Sequence, residues 1–127
     1  MPADRVELAW ASGLFEGEGC TASPGVANPG LQLGMTDEDT VRRFQRAVGI
    51  GVVEGPFGPY VGSPGRKPMW RWRANAFEDT QAVIALLWEG FGVRRRKQAV
   101  ELMAYRKTRR PRARNGRGKR RAAWLSS

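Results

Sequence analysis

Apolar residues recur at helical spacing near the start of the chain, through Leu8, Trp10, Ala11, Leu14 and Phe15. Asp4 and Glu7 stand ahead of them as an Asp-x-x-Glu start signal, since each carboxylate can take a free amide of the first turn. The pattern breaks at Gly17-Glu18-Gly19, where this helix is predicted to stop. Cys20 to Ser23 and Leu31 to Met35 read as short strands, joined by a loop with Pro24, Gly25, Pro29 and Gly30. Thr36 and Asp39 form a second start signal, for a helix carrying Val41, Phe44, Ala47 and Val48 that closes at Gly49-Ile50-Gly51. Ile50 to Glu54 read as a third strand, and Gly55 to Pro68 as a long loop. Met69 to Arg73 alternate apolar and basic residues, as a strand with a dry Trp70/Trp72 face and a charged Arg71/Arg73 face should. Asn75 with Glu78 is expected to cap a third helix, which carries Phe77, Val83, Ile84, Leu86 and Leu87. Gly90 and Gly92 break it, and a last helix runs from about Arg94 to Arg106. Half-dry strands need helices over the dry side, so the order predicts an α+β domain, αββαββαα, on a mixed or antiparallel four-stranded sheet.

Charge divides the chain. Lys107 to Arg121 hold nine Lys or Arg and no acid, so of the formal +10 only about +1 remains for residues 1–106. Residues 1–106 are therefore read as the folded domain and 107–127 as a basic, flexible tail, a composition that suits nucleic acid. Cys20 is the single cysteine, which excludes an intrachain disulfide. The chain has no His, and His-based triads and HNH-type nuclease chemistry are excluded with it. No apolar run reaches the roughly 18 residues of a membrane span, and Asp4 and Glu7 do not suit a signal peptide, so a soluble, intracellular protein is expected, without a membrane partner.

Ala11-Ser12-Gly13-Leu14-Phe15-Glu16-Gly17-Glu18-Gly19 resembles the signature of the LAGLIDADG homing endonucleases, with Ala11-Ser12 in place of Leu-Ala and two Glu in place of two Asp. The order of elements matches over roughly Ala3 to Arg106, and Gly49-Ile50-Gly51-Val52-Val53 matches a glycine-rich turn of the family. Gly13 and Gly17 lie on one helical face and would let a second helix approach closely. The motif occurs once, so that helix must come from a second copy, and an isologous homodimer with Gly13, Gly17, Trp10 and Leu14 at its interface is expected. Both copies would then bring Glu18 to one place. Carboxylates and a nearby carbonyl such as that of Gly17 are hard oxygen ligands suited to Mg2+. The resemblance implies that Mn2+ substitutes, that Ca2+ supports binding without cleavage, and that Glu18 is catalytic. It further implies phosphodiester hydrolysis across the minor groove of a palindromic or pseudo-palindromic double-stranded DNA, leaving short 3′ overhangs. Glu16 is expected to act structurally.

By the same resemblance the sheet reads the major groove. Arg71 and Arg73 share one face, and Gln32 is out of phase with Leu31 and Leu33, so all three are expected to face DNA. Aligning on Lys97-Gln98-Ala99 puts Arg95 where relatives place a basic active-site residue; as an arginine it would act electrostatically. Arg94, Lys97 and the tail residues Arg109, Arg110, Arg112 and Arg114 complete the expected DNA contacts. A polar residue that relatives carry after the second strand falls near Met35 or Thr36, a poor match. The alternative is a DNA- or RNA-binding maturase or regulator on the same scaffold without cleavage. The target sequence and the host element, whether intron, intein or free-standing gene, are not legible in one chain.

Overall fold

Helix α1 (Arg5–Glu18) starts where its cap predicts: the Asp4 carboxylate accepts from the amides of Val6 and Glu7. The computed structural model describes residues 4–21, 29–58 and 65–108. The chain continues through β1 (Gly19–Thr21), β2 (Leu31–Met35), α2 (Glu38–Val48), β3 (Val52–Phe57), β4 (Met69–Ala74), α3 (Phe77–Leu87), a 3-10 turn (Trp88–Gly90) and α4 (Val93–Thr108). The order of elements is the expected one, and the strands form a sheet in the order β1-β2-β4-β3 with every pairing antiparallel.

Several local expectations change. Glu7 does not cap α1; its carboxylate takes the fork of Arg43 at 2.9 and 2.8 Å, tying α1 to α2. Asp37 caps α2 in place of the Thr36 and Asp39 pair: the helix begins at Glu38, one residue later than that pair requires, and the Asp37 carboxylate accepts from the Thr40 amide. Helix α3 begins after Ala76 with no side-chain cap, and the Asn75 carboxamide oxygen accepts from Arg73 instead. Strand β1 is shifted to Gly19–Thr21, and the expected Ser23 lies outside the described residues. Strand β3 starts two residues late and runs past Glu54, with an irregular register between Glu54 and Phe57. It lies at the sheet edge, where Pro56 can lack an N–H without orphaning a neighbour. Helix α4 reaches Thr108, so Lys107 belongs to it rather than to the tail; residues 109–127 lie outside the described residues.

One face of the sheet is dry. Leu31 pairs with Ala74, Leu33 with Trp72 and Met35 with Trp70, and the first two pairs are buried. Under them Phe15, Phe44, Trp72 and Phe91 form an aromatic centre, with Phe44 edge-on to Trp72 at 4.8 Å and Phe15 5.9 Å from Phe91. The turn from α2 to β3 is built around this centre. Gly49 ends α2 at φ 72°, and Gly51 at φ 93° lets the Trp72 indole pass beneath it and donate to the Ile50 carbonyl at 2.8 Å. A Cβ on Gly51 would run into that indole and stand 2.7 Å from the Arg73 carbonyl oxygen. Among the described residues no helix is long and apolar enough to cross a membrane.

Candidate functional site

Two kinds of glycine lie on and against helix α1. Gly19, at its end, and Gly90, in the 3-10 turn packed on it, are required by the fold itself, since a Cβ on the first would enter the Phe15 ring and on the second the Ser12 hydroxyl. Gly13 and Gly17 differ: a Cβ on either meets nothing within 4 Å. They lie on an exposed stripe with Val6, which is 75% exposed. Each helical glycine costs up to about 1 kcal/mol against alanine, and no contact within the described residues compensates for it. Trp10 and Leu14, expected beside them, are half-buried at the margin of the core, and the Arg43 guanidinium lies 3.8 Å over the Trp10 ring.

Glu18 is exposed at the end of this helix, directly before β1. Among the described residues no cation pairs with its carboxylate. Glu16, two residues earlier, turns inward: its carboxylate accepts from the Gly92 amide at 3.0 Å and so ties the end of α1 to the start of α4. The structural placement expected for it is thus visible in the geometry.

Arg95 lies beneath the helix end and is only 4% exposed. One guanidinium nitrogen donates to the carbonyls of Glu16 and Gly19, both at 3.1 Å, and the other to Gln98 Oε1 at 3.0 Å. Gln98 Oε1 also accepts from the Thr21 hydroxyl, and the guanidinium stands 5.2 Å from the Phe15 ring centre. Burial first, then the neighbouring Arg94, pulls Arg95 below the ordinary arginine value; an arginine still keeps its charge. It therefore serves as a cationic cap on the negative end of α1, holding the two peptides that flank Gly17 and Glu18. Arg94, Arg95, Arg96 and Lys97 form a run of four basic residues at the start of α4. Only the one in phase with Ala99 and Leu102 is drawn inside. Arg94 and Lys97 are exposed, and Arg96 stacks 5.0 Å over Trp88.

The open face of the sheet carries Cys20, Gln32, Gly34, Val52, Glu54, Arg71 and Arg73, because each pairs in register with another of the set. Gln32, Arg71 and Arg73 thus share the face expected for them. What sequence reading missed is Glu54. Its two oxygens hold Arg71 at 3.0 Å and Arg73 at 2.7 Å. Hydrogen bonding from Arg73 dominates, outweighs burial, and with Arg71 brings the Glu54 carboxyl from 4.5 down to about 2. The signal was its phase, two positions from Val52 on a strand whose partner was not known. Because the folded value lies below the unfolded one, Glu54 contributes stability that is full above about pH 4.5 and lost as pH falls through about 2. The melting-temperature gap between wild type and Glu54→Gln should therefore narrow steadily from pH 5 to pH 2. Arg106, also unremarked in sequence, donates to the carbonyls of Pro29 and Asn75 and anchors α4 under the start of β2. The tail residues Arg109, Arg110, Arg112 and Arg114 lie outside the described residues.

A four-stranded antiparallel sheet, helices on one face only, and a glycine-marked helix ending in an acid at the sheet edge make up the fold of the LAGLIDADG endonucleases. Two solved structures of the homing endonuclease I-CvuI share it. One, bound to an I-CreI target with magnesium and uncleaved DNA, has a TM-score of 0.59 at 15% identity and covers 79% of this chain. The other, bound to its own target with calcium, has a TM-score of 0.58 at 16% identity and covers 81%. The chain spans 65% and 68% of those chains, respectively. No family model matches the chain, and no curated protein matches it.

Proposed function

We propose that this chain is a site-specific double-strand DNA endonuclease that works as a homodimer with a divalent metal ion. The observation that carries the reading is the exposed stripe of Gly13 and Gly17 ending in Glu18. These glycines serve no contact inside the described chain, and a second α1 laid along them brings two Glu18 carboxylates together at the edge of two open sheet faces. The shared fold with DNA-bound endonucleases supports it.

The donors fit a hard cation in part. Glu18 is a carboxylate at the negative end of a helix, and the carbonyl of Gly17 is of the same ligand class. Among the described residues no three His, Cys, Asp or Glu gather into a metal cage, so Glu18 from the second copy and phosphate oxygens would have to complete the set. Magnesium bound there supplies Lewis-acid polarisation of the phosphate and a more acidic water. The protein's own part is positional. Arg95 and Glu16 hold the peptides around Glu18, and Arg94 and Lys97 add positive potential at the start of α4.

Gly13→Leu tests the assembly. Nothing among the described residues touches that position, so the variant should keep its helical and sheet content while the dimer weakens by about 1–3 kcal/mol, roughly 5- to 150-fold in Kd. Sedimentation velocity showing wild type as a monomer with and without DNA would remove the dimer from the reading. Cleavage is tested by enriching random duplexes for binding in calcium and moving the winners into supercoiled plasmid. Linear product should form with magnesium or manganese and not with EDTA. Binding without cleavage in either metal would leave a DNA-binding protein and overturn the endonuclease.

A further inference from the structure

Two arginines on a DNA-facing sheet would ordinarily be free, long side chains that bind phosphate wherever it comes. Here a carboxylate stands between them. Glu54 pairs directly across the ladder with Arg71, and Val52, two residues along the same strand, pairs with Arg73. Each oxygen of Glu54 takes one guanidinium. Each arginine is then held at a second point: Arg73 donates to Asn75 Oδ1 at 2.8 Å, and Arg71 lies 4.9 Å over the Phe57 ring. The trio is partly open, with Arg71 and Arg73 side chains 41% and 38% exposed and Glu54 30%.

A carboxylate on a surface meant only for phosphate works against it, since it lowers the local charge from two to one and repels the backbone. A carboxylate between two forked donors does something else. It removes rotamer freedom from both arginines before they meet a ligand, and the edges it leaves exposed are fixed in direction. Bidentate pairing of Arg with the O6 and N7 of guanine needs that kind of aim. We propose that Glu54 is the positioning residue for base recognition, setting Arg71 and Arg73 as one rigid pair of guanine readers on the open face of the sheet. The proposal rests on the reading of the chain as a DNA-binding protein. Residues two apart on a strand are separated by about 6.6 Å, close to two base-pair rises, so the preferred guanines stand about two base pairs apart. Gln32, paired across the ladder with Arg73, lies beside the second of them.

The test compares full-length wild type, Glu54→Gln and Glu54→Asp by selection from randomised duplexes in calcium, followed by binding at several salt concentrations. Wild type should enrich guanine at two linked positions. Glu54→Gln should lose both enrichments together, at least several-fold, and its slope of log K against log salt should steepen by about one, since the local charge rises from one to two. Glu54→Asp keeps the charge and cannot span both partners, so it should lose the enrichment with the wild-type salt slope. Should Glu54→Gln fail to fold, Glu54→Asp carries the test, since it keeps the carboxylate charge and removes only the reach to both partners. Identical enrichment in wild type and the variants overturns the positioning role while DNA binding stands. A wild-type protein that retains no duplex overturns the DNA-binding reading itself.

Discussion

Glu18→Gln is expected to abolish measurable DNA cleavage, by about 100- to 1000-fold or more, while binding in calcium survives. The amide keeps the size and direction of the side chain and removes one negative charge per copy from the pair of carboxylates proposed to hold the divalent ion. Nothing else in the described chain depends on that carboxylate, which is exposed and makes no ion pair there. The melting temperature should therefore stay within a degree or two of wild type, as expected for a surface change of less than about 0.5 kcal/mol. Glu16→Ala makes the opposite pattern. It removes the acceptor of the Gly92 amide and should cost about 0.5–1.5 kcal/mol of stability. Titrating cleavage of an enriched plasmid site against magnesium, beside thermal melts of each variant, checks both. Wild-type cleavage rates in Glu18→Gln would show that another group holds the metal.

Phe15→Ala is expected to have the largest effect on stability, about 3–5 kcal/mol. Phe15 is fully buried and stands against three other rings, 6.1 Å from Phe44, 6.3 Å from Trp72 and 5.9 Å from Phe91. Its ring also fills the space above which Gly19 must lack a side chain, and the Arg95 guanidinium rests on its edge of the core. Removal leaves a cavity where α1, α2, β4 and the start of α4 meet, and it leaves the arginine beside a void. Urea unfolding measures the loss. A cost below about 1 kcal/mol would mean that the centre collapses freely and that Phe15 does not hold the helix end in place.

Much of this was legible in the sequence, for physical reasons that differ from element to element. Asp4 marks the start of α1 because a cap acts within one turn, and local chemistry shows in local sequence. The buried faces of β2 and β4 followed from strict alternation, which assigns Leu31, Leu33 and Trp72 to one side whatever their partners. The Gly13 and Gly17 spacing was readable for the same reason. Long-range geometry was not. Glu54 meets Arg71 and Arg73 only through the β3–β4 register, and the stretch between those strands gives no signal of where pairing starts. The burial of Arg95 depends on how α4 rotates beneath α1, so its sequence neighbourhood, Arg94-Arg95-Arg96-Lys97, does not show which of the four turns inward. Asn75 looked like a cap because its type suits one, and an arginine from the adjoining strand claimed its oxygen first.

The bonds that hold the end of α1 join residues 76 and 79 positions apart: Glu16 to Gly92, and Arg95 to the carbonyls of Gly19 and Glu16. The Glu18 end of the first helix is therefore finished by the last one. During synthesis the motif leaves the ribosome early but has no fixed terminus until α4 follows, so a partial chain holding every residue of the motif has its acid on a fraying helix end. In the finished protein the same linkage makes the two ends of the domain one cooperative unit. Hydrogen exchange of the Gly19 amide should slow to the rate of the α4 amides around Ala99, and Arg95→Ala should speed it while leaving the central strands β2 and β4 protected.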